Sequence, residues 1–377
     1  MRPSPEGTGP HPPAATSGGS SSRPHRAARL EYAFDSRLAA FLQRRGWTAR
    51  VEPYVGYGAP GWARVLGRVV LAGPGVRDDD LPGVGAHPTG SRARPVTALR
   101  GWRSFAVVPL PFAEVRAVVD GVARSLVADR GGFLDGVVDV DLDPGWHDVE
   151  LVTTDGRTAT VPVIVIGAAT RFGVVSDIDD TVMVTRLPRP FIAAWNTFVR
   201  HENAREPVPG MADFYRRAFL ARDDVPVMYL STGAWNAAPA IGRFLRRHGY
   251  PTGPLLLTDW GPTNSGWFRS GAEHKRAALR RLLTELPGVR WVLVGDDGQR
   301  DPQLYAEIVQ EHPERVLAVA IRQLSGAEQV LAHGAPAPWA GTAGAEARTL
   351  HEGVPLLQGA DGAALLREWS ARGVSLD

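Results

Sequence analysis

The chain has 377 residues, 44% hydrophobic and 22% charged, the make-up of a globular protein with room for two domains. Its 42 basic and 40 acidic residues leave a formal charge of +2, and no basic stripe accompanies the pI of about 9.1, so nucleic acid is not read as a partner. The absence of cysteine excludes disulfides, thiolate metal sites and a cysteine nucleophile, and fits a reducing, cytoplasmic setting.

Residues 1–28, rich in Pro, Gly, Ser and Thr, read as a disordered tail without the apolar core of a signal peptide. A helix follows, with Leu38, Phe41 and Leu42 on one face and Gly46 to stop it. From Trp47 the period changes to two, through Ala49, Val51, Pro53 and Val55. Further β-branched pieces are Val65 to Leu71, Phe105 to Val108, Val115 to Val119, and Val138, Val140 and Leu142. Turn signals at 72–75, 129–132 and 143–145 separate them, and a last strand runs from Val161 to Ile166. Residues 29–168 thus predict a helix plus an all-β, sandwich-like domain.

Near Gly173 the pattern changes to apolar strands alternating with amphipathic helices. Strands are predicted at 173–175, 225–230, 255–257, 291–294 and 316–321. Helices are predicted at 211–220, 238–247, 272–283 and 302–311. This series predicts an α/β catalytic domain over 169–325 with a doubly wound parallel sheet. Residues 326–377 read as a tail with a helix over 362–372. The longest apolar runs, such as Val161 to Ala169, are too short to span a bilayer, so any membrane contact would be peripheral.

The sharpest motif is Ser176-Asp177-Ile178-Asp179-Asp180-Thr181, directly after the first of these strands. Open α/β sheets place their sites at strand carboxyl ends. Three carboxylates crowded there need a cation, and magnesium suits oxygen ligands. Asp177 and Asp179, two apart, can face one crevice: one can attack phosphorus while the other handles the proton of the leaving oxygen. The bland alternative is an acidic surface loop or a calcium site.

A second acidic cluster, Gly295-Asp296-Asp297-Gly298-Gln299-Arg300-Asp301, follows another apolar strand. Asp296 is the natural metal ligand, with Asp297 or Asp301 direct or through water. Asp301-Pro302 also has the form of a helix N-cap followed by Pro. Ser231-Thr232-Gly233, after a third strand, offers a hydroxyl and backbone N–H groups to a phosphate oxygen. Lys275, near the start of a helix, can reach the anionic centre. It is the only lysine in a chain that otherwise uses arginine, which hints at a site that cannot use the broader guanidinium. His147 and His274 are candidate bases without a partner at metal-ligand spacing.

In this order the motifs resemble the haloacid dehalogenase superfamily. More narrowly, Ser176 to Val182, Tyr229 to Asn236, Gly253 to Leu257 with Asp259-Trp260-Gly261, His274-Lys275 and Gly295 to Tyr305 resemble the actin-patch-associated phosphatidate phosphatase family. Upstream, Asp129-Arg130-Gly131-Gly132-Phe133 and Pro144-Gly145-Trp146-His147 are similar to the β-rich domain that precedes the catalytic domain in bacterial members. Members often carry Asn-Ser-Pro where this chain has Thr232-Gly233-Ala234.

The resemblance implies Asp177 as nucleophile and metal ligand, and Asp179 as acid/base with its backbone carbonyl on magnesium. Ser231, with Thr232 and Gly233, would bind phosphate, Lys275 would neutralise it, and Asp296 would complete the metal shell. It implies hydrolysis of phosphatidate to diacylglycerol and phosphate at a membrane surface, where Arg186, Arg189, Phe191 and Trp195 could meet the lipid. Two alternatives stay open: a phosphatase of soluble metabolites, and a non-catalytic binding module with a structural ion.

Overall fold

A computed structural model describes residues 37–74, 107–184, 205–220, 225–258, 271–298, 300–333, 350 and 353–374. The 1–28 tail, Phe105, the lipid-facing candidates Arg186, Arg189, Phe191 and Trp195, and Asp259 to Gly261 lie outside the described residues. The fold is mixed α/β, with one curled sheet and a second, all-parallel sheet.

Residues 37–44 form helix α1, and Gly46, at φ 83°, lets the chain turn away from it. The first sheet then uses β1 (Thr48–Ala59), β2 (Gly61–Ala72), β3 (Val107–Pro109), β4 (Glu114–Val119), β5 (Val122–Val127), β6 (Phe133–Val140), β7 (Gly145–Thr153) and β8 (Thr158–Val165). Its order is β3-β2-β1-β8-β7-β4-β5, with β6 also paired to β2. Pairing is antiparallel except where β1 runs parallel to β8 at Gly56–Gly58. The predicted sandwich is therefore one connected sheet rather than two stacked ones. It curls until β5 covers β6: a Cβ at Gly136 would stand 2.6 Å from Leu126 Cδ2. Alternate residues fill the curl, among them Val51, Ala63, Val65, Val115, Ala117, Leu134, Val149, Leu151 and Val163.

Two strands of this sheet were not anticipated. The β4–β5 hairpin turns on Asp120 and Gly121, both at positive φ (48° and 77°), as a two-residue turn requires. In β7, Val149, Leu151 and Thr153 are buried while Asp148 and Glu150 face out.

The second sheet has the order β11-β10-β9-β12-β13-β14, from β9 (Phe172–Asp177), β10 (Val227–Ala234), β11 (Leu255–Thr258), β12 (Arg290–Asp296), β13 (Val316–Arg322) and β14 (Leu356–Gly359). All its pairings are parallel. Its strands are buried nearly throughout, which explains their unbroken apolar runs. The associated helices are α2 (Met211–Ala218), α3 (Ala238–Arg247), α4 (Gly271–Glu285), α5 (Asp301–Glu311), α6 (Gly326–His333) and α7 (Gly362–Ala371). The segment read as a tail thus supplies the sixth strand, and α7 packs on α2 so closely that a Cβ at Gly362 would overlap the carbonyl of Gly210.

The strand order fixes where chemistry can sit. From β9 the chain builds β10 and β11 to one side, then crosses over to lay β12, β13 and β14 on the other. The carboxyl ends of β10, β9 and β12 therefore flank the point where the strand order reverses, which is where open α/β sheets hold their sites.

The two sheets share a core. Tyr54, Val55, Tyr57, Trp62 and Leu66 of the curled sheet pack in one continuous cluster with the parallel sheet and its helices. The Tyr57 hydroxyl donates to Glu285 Oε2 at 2.7 Å, Arg64 pairs with Asp135 and Glu285, and Arg281 reaches Asp135 Oδ2 at 3.0 Å. No helix among the described residues is long and apolar enough to cross a membrane.

Candidate active site

Register places the motifs side by side. Asp177, the last residue of β9, pairs with Leu230 on β10, one residue before Ser231. Ser176 pairs with Val294 on β12, two residues before Asp296. Asp177 and Asp296, each the last residue of its strand, and Ser231, three residues before the end of β10, are thus brought side by side.

Asp177, Asp296 and Asp301 each bring a carboxylate oxygen within 4.8 Å of the other two. All three are buried. Lys275, 3% exposed, comes from the first turn of α4; its Nζ lies 2.7 Å from Asp177 Oδ1 and 2.6 Å from Asp301 Oδ1. The Thr181 hydroxyl lies 3.3 Å from Asp177 Oδ2 and 3.5 Å from Asp296 Oδ2. The N–H of Gly298 donates to Asp296 Oδ1 at 2.7 Å.

One ammonium does not balance three buried carboxylates. Burial, then the neighbouring Asp301 and Asp179, push the Asp177 carboxyl well up against the pull of Lys275. Burial, then Asp301 and Asp177, do the same to Asp296. Lys275 is raised: desolvation acts against its charge, but Asp177 and Asp301 outweigh it. Asp301 Oδ2, also buried, has no hydrogen-bond partner. An excess of buried negative charge with an orphaned oxygen is what a divalent cation would satisfy, and a set of hard oxygen donors suits magnesium. The residues present therefore fit such an ion.

Beside these carboxylates the buried Ser231 hydroxyl donates to Asp179 Oδ2 at 3.0 Å and accepts from the N–H of Gly233 at 2.9 Å. Asp179 is only partly buried, whereas Asp177 is 1% exposed. Two carboxylates two residues apart therefore meet different environments. Thr258 Oγ1 donates to the carbonyl of Thr232 at 3.0 Å and tethers the segment Ser231–Ala234.

The structure thus brings together Asp177, Asp179, Ser231, Lys275, Asp296 and Asp301, with Thr232 and Gly233 beside Ser231. Asp297 is taken up differently: its Oδ1 accepts from the N–H of Leu324 at 2.8 Å, and it is not in the carboxylate cluster. Asp301 is not a side-chain N-cap either. It is the first residue of α5, after Arg300, and its carboxylate turns to Lys275 instead. The His274 ring sits 3.3 Å from the carbonyl of Leu256, and His147 lies 2.6 Å from the carbonyl of Asp143 in the curled sheet.

Sequence reasoning missed Arg322. Its guanidinium, at the end of β13, donates to the carbonyls of Asp180 (2.8 Å) and Ala360 (3.2 Å) and pairs with Glu328 at 2.6 Å. Asp180 holds φ at 58°, an uncommon conformation for a side-chain-bearing residue, and the turn after Asp177 depends on it. No local signal marks Arg322 in a chain rich in arginine.

Residues 172–323 match the family model described as "Phosphatidate phosphatase APP1, catalytic domain". Over 153 residues the chain is 28% identical to an uncharacterized protein of Schizosaccharomyces pombe. Over 151 residues it is 25% identical to the phosphatidate phosphatase APP1 of Saccharomyces cerevisiae. Each match covers 40% of this chain and 25% of the relative, so the chain spans a quarter of their length. Among solved structures, a carbohydrate acetylesterase from Xanthomonas citri aligns at 11% identity over 74% of this chain and 60% of its own, with a TM-score of 0.26, too low to define a shared fold. The matched segment contains every residue of this site, and the match supports a phosphatase catalytic domain.

Proposed function

We propose that the protein is a magnesium-dependent phosphatase of lipid phosphate monoesters, with phosphatidate as the substrate class and an aspartyl-phosphate on Asp177. The carrying observation is the grouping where the strand order reverses: Asp177, Asp296 and Asp301 share Lys275 and an unbalanced charge, with the Ser231–Asp179 pair beside them. The match to a phosphatidate phosphatase catalytic-domain family supports the lipid substrate.

In this reading Asp177 Oδ attacks phosphorus while the bond to the leaving oxygen breaks, and Asp179, carrying a proton, delivers it to that oxygen. A water then attacks the phosphorus of the acyl phosphate, Asp179 takes its proton, and the bond to Asp177 breaks to release phosphate. Asp179 suits this exchange because it is only partly buried. The Ser231 hydroxyl turns from Asp179 to a phosphoryl oxygen, and Thr232 and Gly233 line its path. Lys275 offsets the charge on the attacked group and favours the ionised form of Asp177 against the burial that opposes it. Asp177, Asp296 and Asp301 would hold magnesium, which supplies charge neutralisation at the phosphoryl oxygens. Action at a membrane surface from the cytoplasmic side belongs to the same proposal.

Phosphate release is to be measured with and without magnesium from phosphatidate vesicles and from a panel of soluble phosphoesters, beside Asp177→Asn. The expectation is magnesium-dependent release that is fastest from phosphatidate and absent in the variant. Faster turnover of soluble esters rejects the lipid substrate. Full turnover by Asp177→Asn rejects the mechanism.

A further inference from the structure

The curled sheet carries no catalytic group, yet it reaches the segment that flanks Ser231. The residue that leaves β10 is Trp235, which opens the short helical turn Trp235–Ala237. Its ring stacks on Tyr54 of β1 at 5.1 Å between centroids and 10° between planes, and meets Phe133 of β6 at 5.7 Å and 35°. Arg68 of β2 lies over the Phe133 ring at 5.0 Å.

The turn before Phe133 is built to present it. Asp129 Oδ1 accepts the N–H groups of Gly131 (2.7 Å) and Phe133 (2.8 Å). Gly132 holds φ at 79°, and a Cβ there would stand 2.5 Å from the carbonyl oxygen of Val69, so only glycine fits. Tyr54 is fully buried and cannot move aside. The segment Ser231–Ala234 is thus held twice: by the Thr258 bond to Thr232 at its middle, and by Trp235 in a slot of the other sheet just past its end.

We propose that the β-rich half is a working part of the active site: Tyr54 and the Asp129–Phe133 turn form an aromatic slot that grips Trp235 and so fixes the phosphate-facing segment 231–234. Trp235, Tyr54 and Phe133 are positioning residues that act through Ser231. The kinetic side of this inference rests on the phosphatase reading above, but the mechanical side does not.

The test uses the full chain with Trp235→Ala, Phe133→Leu and Trp235→Phe. Tyr57→Phe, which alters the sheet–sheet contact away from the slot, is the control. Two readouts are taken on variants shown to be folded: amide hydrogen exchange of segment 231–234, and KM and kcat for the best phosphoester. The expectation for Trp235→Ala and Phe133→Leu is exchange about tenfold faster in 231–234, unchanged protection in β12, and a KM about tenfold higher with kcat changed less. Trp235→Phe should recover most of both, and Tyr57→Phe should move neither. Should Trp235→Ala not fold, Phe133→Leu decides. Unchanged exchange in a folded slot variant overturns the inference, as does faster exchange with unchanged KM in an active enzyme. Faster exchange in a protein that hydrolyses no ester sinks the phosphatase reading and leaves the slot standing.

Discussion

Arg322 donates a 2.8 Å hydrogen bond to the main-chain carbonyl of Asp180. The donor sits two strands from the acceptor's strand, at the end of β13, and holds the strained residue of the turn that aims Asp177. Replacing Arg322 by Met would remove the donor to the carbonyls of Asp180 and Ala360 and break the ion pair with Glu328. The expected loss is about 2–4 kcal/mol in urea unfolding, with kcat falling more than KM rises.

Asp177→Asn removes the attacking oxygen while keeping the side chain's shape. Phosphate release should fall by at least about 10³-fold, and the variant's thermal midpoint should not drop, because one of three crowded carboxylates has lost its charge. A phosphate-release assay and a thermal melt on the same sample check both halves.

Lys275 pairs with both Asp177 and Asp301, and among the described residues no other cation is seen to pair with either. Lys275→Met leaves two buried carboxylates unpaired, so stability should fall by about 3–5 kcal/mol in chelator. Magnesium at saturating concentration should recover part of that loss. Lys275→Arg should not restore turnover, since the guanidinium is broader and points its donors differently. An equal loss with and without magnesium would argue against an ion at this cluster.

Gly295→Ala tests the placement of Asp301 without touching a charge. The added Cβ would lie 2.7 Å from Asp301 Oδ2 and 2.9 Å from Tyr305 Cε2. Asp301 must shift, so turnover should drop about 10–100-fold for a stability cost of about 1–3 kcal/mol. Comparing kinetics with a denaturation curve separates the two effects.

Glu52, 3% exposed beneath Tyr54, gives the β-rich half a pH signature. Burial pushes its carboxyl up to about 6 from 4.5, against the pull of Arg68 and the Tyr54 hydrogen bond. An acid raised in the folded state contributes stability that is fully present below about 4.5 and is lost as pH rises through about 6. The gap between Glu52→Gln and wild type should therefore widen by about 2 kcal/mol from pH 4 to pH 7.5, in favour of the variant. Unfolding curves across that range read it directly.

Much of the catalytic half could be read from the chain because its signals are local. A buried strand forces an unbroken apolar run, and the polar residue that ends the run must sit at the strand's carboxyl end. Asp177, Ser231 and Asp296 were all found that way. The side-chain directions were not legible: Asp297 and Asp301 look equivalent in sequence, and only the start of α5 turns Asp301 toward Lys275 while Leu324 claims Asp297. The strand Leu356–Gly359 escaped notice because it is short and set among Gly, Pro and Ala. The hairpin at Asp120-Gly121 and the alternation Val149, Leu151, Thr153 are carried by short local signals in the chain. Contacts such as Tyr54 on Trp235 join residues far apart in sequence, and neither aromatic shows alone which partner it will meet.

The sixth strand has a consequence for biosynthesis. Strand β14 pairs with β13, and α7 covers α2, yet both come from residues 356–371. While the chain is being made, β13 has an open edge and α2 an uncovered apolar face until those residues leave the ribosome. Arg322 likewise waits for the Ala360 carbonyl. The catalytic turn is therefore fully braced only once residues 356–371 have been made, and a chain cut upstream of Leu356 would keep its nucleophile in place with a sticky strand edge beside it.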